Sequence, residues 1–137
     1  MQHIKHKLIL SLMLLLSLSV FSQSQSLNFS FQSDTIEIDG DIIDLDSTIK
    51  KQGNQLIWTQ YVGDKERIST SKIITKNENW NKTNNLGEIV YSLEENGYQS
   101  TLTISGDSNG ITVTFSLVTS NGQNENYVFK INTVTYN

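Results

Sequence analysis

The feature that most restricts the fold is an alternation of side chains between two faces in two neighbouring segments, 98–104 and 111–117, which is strict in the second. In segment 111–117, Ile-Thr-Val-Thr-Phe-Ser-Leu, all apolar side chains fall on one face of an extended chain and all hydroxyls on the other. In segment 98–104, Tyr98, Ser100, Leu102 and Ile104 alternate with polar residues, and the residues between the two segments at 106–110, Gly-Asp-Ser-Asn-Gly, favour a turn. The pattern predicts a β-hairpin with one buried face and one face in water.

Shorter stretches of the same kind indicate that the rest of the chain is also β. Further strands are predicted at residues 27–31, 35–38, 56–62, 66–75, 89–93 and about 126–136. The sequence has no proline and no alanine, the best helix former, so its composition disfavours helices. About eight strands joined mostly by short turns predict an all-β fold, a single antiparallel meander closed as a small barrel or clam. A two-sheet β-sandwich is the alternative, because it also hides the strand edges.

Two segments do not follow the alternating pattern. Residues 41–52, Asp-Ile-Ile-Asp-Leu-Asp-Ser-Thr-Ile-Lys-Lys-Gln, fit either a short strand at 42–45 or a single helical turn. Residues 76–85 contain five asparagines and one apolar side chain, Trp80. We therefore expect 76–85 to be the longest exposed loop.

The first 22 residues predict export. Lys5 and Lys7 precede an uncharged apolar run over residues 8–21, and Val20 and Ser22 suit the −3 and −1 positions of a cleavage site. We expect cleavage after Ser22, which leaves one all-β domain at 23–137 in the periplasm or outside the cell. The run is too short to span a bilayer. An outer-membrane barrel is disfavoured because the predicted strand near 66–76 is charged on both faces, so no membrane association is expected after cleavage.

The composition of the mature chain excludes several function classes. Loss of two lysines lowers the ten basic residues to eight, against fourteen acidic ones, so the net charge becomes −6. This charge disfavours nucleic-acid binding, which requires clustered lysine and arginine. Both histidines, His3 and His6, lie in the signal segment, and there is no cysteine. Ser-His-Asp triads, Cys-His pairs and the usual zinc sites are therefore excluded, and we expect a non-enzymatic protein without a cofactor.

The acidic stretch between residues 34 and 46 supports an alternative function. Two carboxylates facing one cleft could hydrolyse a glycosidic bond, and several carboxylates in a flexible loop could bind calcium. The candidate metal ligands are Asp39, Asp41, Asp44 and Asp46. A solvated hairpin turn at Asp39-Gly40 explains the same residues without a ligand.

Three aromatic residues are the candidate ligand-binding residues: Trp80, Trp58 and Tyr61. Trp58 alternates with Leu56 and so also fits the core. Trp80, surrounded by asparagines, either contacts a ligand or caps one end of the barrel. The sequence thus predicts a small exported β-domain that binds an unidentified small molecule, glycan or protein.

Overall fold

The computed structural model describes residues 26–137, and the predicted signal peptide and cleavage site lie outside them. These described residues form nine strands: β1 Phe29–Ile38, β2 Asp41–Gln52, β3 Gln55–Val62, β4 Lys65–Asn81, β5 Leu86–Glu95, β6 Tyr98–Asp107, β7 Gly110–Val118, β8 Asn124–Ile131 and β9 Thr133–Tyr136. No helix within residues 26–137 is long and apolar enough to cross a membrane.

The strands form a closed antiparallel meander. Strands β2 to β8 pair in chain order, and β1 pairs with β2 on one edge and with β8 and β9 on the other. Ile38 lies opposite Tyr127 in β8, and Phe29 lies opposite Tyr136 in β9, nine residues away along both strands. Because this register is shared, β8 and β9 act as one wall strand interrupted at Asn132. The predicted meander and its closure into a barrel are confirmed.

The barrel interior is filled by side chains from every strand of the meander. Ile111, Val113 and Phe115 of β7 are buried, whereas the hydroxyl residues between them are only partly covered. This confirms the faces assigned to the predicted hairpin. Trp58 stacks on Phe115 with ring centroids 5.3 Å apart and meets Phe129 edge-on at 5.3 Å. These rings form an aromatic layer that fills the interior.

The prediction of a long exposed loop at residues 76–85 is wrong. Strand β4 continues to Asn81 and pairs residue by residue with β5, so only residues 82–85 form the turn. The asparagines at 77, 79 and 81 alternate with Lys76, Glu78 and Trp80. They are exposed on the outer face, while Glu78 and Trp80 are partly buried. Side chains do alternate between the two faces of this segment, but those on the inward face are mostly polar. The sequence of the segment therefore resembles that of a loop.

Two other segments are simpler than the sequence indicated. Residues 41–52 form a single strand, β2, and not a helical turn. The strands predicted at 27–31 and 35–38 belong to one strand, β1, whose pairing with β2 shifts register between Ser33 and Thr35. The Asp39-Gly40 turn is confirmed, with both residues at positive φ as a two-residue hairpin turn requires.

Up-and-down connectivity gives the barrel two distinct ends. The turns at 39–40, 63–64, 96–97 and 119–123 lie at one end, which we call the rim end. The turns at 53–54, 82–85 and 108–109 lie at the other, together with residues 26–28 and the last residues of β9. We call this the capped end.

Candidate functional site

Trp80 covers the capped end. Its indole N–H donates to the Tyr136 hydroxyl at 2.8 Å, and that hydroxyl donates to Asn85 Oδ1 at 2.6 Å. The indole lies against Gly106, where any Cβ would overlap the ring. Trp80 is therefore partly buried and packs against the core at this end of the barrel. It occupies the capping position that the sequence left open as one of its two alternatives.

A polar cluster lies inside the capped end. The Lys51 side chain is buried, and its ammonium group donates to Ser26 Oγ at 2.9 Å and to the Leu27 carbonyl. Burial lowers the pKa of Lys51, an effect that nearby Glu78 opposes. The Tyr91 hydroxyl donates to Glu78 Oε2 at 2.7 Å, and burial followed by this hydrogen bond raises the pKa of Tyr91. The cluster ties residues 26–27 across the capped end and is satisfied by groups of the chain itself.

The three candidate aromatic residues are not brought together. Trp58 belongs to the aromatic layer of the interior, where its Nε1 is buried without a hydrogen-bond partner. Trp80 is at the capped end. Tyr61 lies near the rim end on β3 and is 40% exposed. These residues therefore do not form one ligand site.

The rim end carries most of the exposed large apolar side chains. Nine such residues are exposed within 26–137, and seven of them flank the four rim turns: Ile42, Ile43, Tyr61, Val62, Ile68, Tyr98 and Val118. We call these seven residues the apolar rim. Leu86 is the single counterpart beside the capped-end turns among the described residues, and Ile74 lies in the wall. Exposed apolar side chains that are concentrated in one region mark interaction sites more often than scattered single residues do.

The surroundings of the apolar rim are acidic. The four hairpin ends, taken as residues 37–44, 61–68, 94–99 and 117–125, contain nine acidic and two basic residues. The two basic residues, Lys65 and Arg67, share one hairpin. A complementary partner therefore needs an apolar contact area with basic residues around it.

No protein-family model matches this chain, and neither a curated protein nor a solved structure shows significant similarity to it.

A groove adjoins the apolar rim. It has a volume of about 560 Å³ and is lined by Ile74, Val118 and uncharged residues of β4 to β8, including Thr75, Ser92 and Thr101. A smaller groove next to it, of about 280 Å³, includes Tyr98 and shares Leu117 and Val118. Both are open at the surface of the barrel, so they extend the area that a partner on the rim could contact.

The candidate metal ligands do not converge. Within the described residues, no group of three or more histidine, cysteine, aspartate or glutamate side chains is placed to hold a metal ion. Asp39 is part of the β1–β2 turn, Asp41 begins β2, and Asp44 lies opposite Thr35. Asp46 lies farther along β2, near Tyr61 of β3.

Sequence reasoning missed the apolar rim. Its members come directly before or soon after turn residues, as in Tyr61-Val62 before Gly63 and Tyr98 after Gly97. The alternation of the predicted hairpin assigns Tyr98 to the buried face, whereas Tyr61 is itself one of the candidate ligand-binding residues. A usable signal was available: apolar residues accumulate beside every second turn, and in a meander those turns share one end.

Proposed function

We propose that this protein is an exported, non-catalytic barrel that binds a protein partner through the apolar rim. The observation that supports this proposal is the unequal number of exposed apolar side chains at the two ends of the barrel. Seven exposed apolar side chains surround one end, and one lies beside the turns of the other. Covering such exposed apolar side chains with another apolar surface removes them from water, which is favourable in free energy.

The charge around the rim favours a protein over other partners. Nine acidic residues against two basic ones oppose approach to anionic lipid surfaces and to nucleic acids. A protein surface with an apolar centre and basic margins complements this pattern. The filled interior supports a contact on the rim over a ligand held inside the barrel, because Trp58, Phe115 and Phe129 occupy the space beneath it.

Photo-crosslinking from both ends tests the proposal. A photoreactive amino acid at position 98, in the rim, is compared with one at position 86, the exposed apolar position beside the capped end. In cells that export the protein, we expect one protein adduct of defined mass from position 98 and none from position 86. Adducts that are equal from both positions, or that contain lipid or glycan only, would contradict the proposal.

The purified partner then allows a quantitative measurement. We expect a Tyr98→Ala, Val62→Ser double variant to weaken its binding more than tenfold while the melting temperature stays near that of the wild type, since both side chains are exposed. Leu86→Ser is the matched control and should bind normally. Binding should also weaken as salt concentration rises, because acidic residues surround the contact.

A further inference from the structure

Strand β4 extends beyond its neighbour β5 at the rim end. Residues 65–72 of β4 pair with β3, but pairing with β5 begins at Lys72, which lies opposite Glu94. Strand β5 ends at Glu95, and the chain turns back at 96–97 into β6. Residues 65–71 therefore pair with β3 on one edge, and no strand formed by residues 26–137 pairs with their other edge. We call this second edge the open edge of β4.

The open edge presents unpaired backbone groups. On the β3 side, Ile73 donates its N–H to the Asn54 carbonyl at 2.8 Å. Because the backbone groups of successive residues in an antiparallel strand point to opposite edges, the odd-numbered residues of this segment bond to β3. The even-numbered residues, Glu66, Ile68 and Thr70, direct their N–H and C=O groups to the open edge. All three residues are exposed, so these groups form a row about 13 Å long in water.

The open edge of β4 is longer and more regular than the free edge of β2 at the same end of the barrel. Residues 41–45 of β2 extend beyond β3, and the register shift in the pairing of β2 with β1 falls at the end of this segment. The pairing of β4 with β3 contains no register shift over residues 65–72. Short lengths and bulges discourage the addition of another strand to an edge, and the open edge of β4 has neither.

A groove of about 630 Å³ lies beside the open edge. On β4 it is lined by Ile68 and residues 70–72, and on the far side by Glu94, Glu95 and Asn96 at the end of β5. The position alongside residues 65–71 continues the line of β5 beyond its turn. No other strand of the described chain occupies that position, so a strand from outside can extend the sheet there.

We propose that an extended segment of the partner protein adds to the open edge of β4 as a further strand. This inference rests on the proposed function, because Ile68 belongs to the apolar rim and the added strand continues that contact. A regular row of backbone donors and acceptors matches the backbone of another strand better than it matches a lipid surface or a compact ligand. Strand addition of this kind is a recurring mode of peptide recognition, in which main-chain hydrogen bonds supply the affinity.

The side chains around the open edge indicate which segment it accepts. Ile68 lies on the outer face and is 62% exposed, so an apolar neighbour on the added strand covers it. Glu94 and Glu95 line the far side of the groove, and Lys72 is the single basic residue among the described residues that line it. We therefore expect an extended segment in which an apolar residue lies beside Ile68 and a basic residue faces the two glutamates.

Amide hydrogen exchange of the free protein tests whether the edge is open. The N–H groups of Glu66, Ile68 and Thr70 should exchange at least about tenfold faster than those of Arg67 and Ser69, which bond to β3. Equal protection of the two sets would show that the edge is covered within the protein itself, and it would overturn the inference.

A proline substitution then tests the added strand. Thr70→Pro removes an N–H from the open edge and leaves the bonds to β3 in place, so its melting temperature should stay near that of the wild type. In cells that export the protein, a photoreactive amino acid at position 68 should give a protein adduct that decreases at least fivefold with Thr70→Pro. Asp44→Pro is the matched control, because the Asp44 N–H faces the free edge of β2. It should leave the adduct unchanged.

The results separate this inference from the proposed function. A protein adduct from position 98 with none from position 68, or with one that Thr70→Pro does not reduce, overturns strand addition and leaves the rim contact standing. No adduct from either position contradicts both. An adduct from position 68 that consists of two copies of this chain overturns the assignment to a different protein.

Hydrogen exchange in the purified adduct provides a measurement that does not depend on the proline variant. The amides of Glu66 and Thr70 should exchange at least about tenfold more slowly in the adduct than in the free protein. Unchanged exchange at both positions would overturn the inference, even if Thr70→Pro failed to fold.

Discussion

The capped end and the rim end are built from the same strands, but the capped end covers its apolar side chains and the rim end leaves them exposed. At the capped end, Trp80 and Tyr136 close the barrel, and Lys51 draws residues 26–27 across it. At the rim end, apolar side chains of all four hairpins stay in water. Closing one end requires only a few large side chains and one short segment, residues 26–27, that is hydrogen-bonded across it. Exposure at the other end is therefore a property of that end and not a general limit of so small a barrel.

The polar groups of the two ends also differ in how far they are paired. Those at the capped end are hydrogen-bonded to one another, as in the chain from Trp80 through Tyr136 to Asn85. The charges at the rim end lie on exposed turns and are mostly acidic. The polar groups at the capped end are thus paired within the protein, whereas the charged groups at the rim end face water. Three measurements test this difference between the two ends.

The largest effect is expected in the aromatic layer beneath the rim. Phe115→Asp places a charge against Trp58 and Phe129 and should lower the free energy of unfolding by more than about 4 kcal/mol. Thr114→Asp, on the outer face of the same strand, should change it by less than about 0.5 kcal/mol. Urea denaturation measures both. Equal losses would mean that the interior is open to water, and the rim would then be the mouth of a cavity.

Truncation of one aromatic residue at each end compares the two ends directly. Trp80→Ala removes a side chain that packs on Gly106 and binds Tyr136, so it should lower the free energy of unfolding by about 3 kcal/mol. Tyr98→Ala at the rim, where the side chain is 78% exposed, should lower it by less than about 0.5 kcal/mol. If Trp80→Ala leaves stability unchanged, Trp80 is not a cap and returns as a candidate contact residue.

The smallest effect concerns alkaline pH at the capped end. The pKa of Tyr91 is raised in the folded protein, so the unfolded chain loses this proton first. The stability that Tyr91 contributes is therefore complete below pH 10 and is lost as the pH rises further, by about 1 kcal/mol per pH unit. Lys51, whose pKa is lowered, acts in the opposite sense as the pH rises toward 10. Denaturation at pH 8 and pH 11 should show a smaller alkaline loss for Tyr91→Phe than for the wild type.

Much of the fold was predictable because one face of most strands is apolar. The hairpin at 98–117 shows this most clearly, since Leu102, Ile104, Val113 and Phe115 are all buried where their alternation placed them. The pattern failed in the second half of β4. Lys76 and Glu78 occupy inward positions there and form an ion pair with each other. Glu78 also accepts a hydrogen bond from Tyr91 on the neighbouring strand, a contact that no local pattern displays.

The candidate sites were less predictable for a geometrical reason. Ile43 and Val62 continue the inward alternation of their strands, but they remain exposed because the barrel wall ends before it covers them. Where the wall ends depends on the lengths of all the strands around the barrel. The register of β1 against β2 also shifts between Ser33 and Thr35, and the sequence contains no sign of that shift. Local periodicity predicts the face of a residue, whereas a site depends on where neighbouring strands end or slip.

The position of β1 between β2 and β8 has a consequence for folding kinetics. Ile38 pairs with Asp41 across a tight turn, but its other partner, Tyr127, comes roughly ninety residues later. The second edge of β1 therefore stays without a partner until nearly the whole chain is available, and loop-closure entropy delays that last ladder. During this interval the chain exposes an unpaired, partly apolar edge that can join another copy. We expect closure of this seam to limit the folding rate and to be the step at which a crowded, newly delivered chain aggregates.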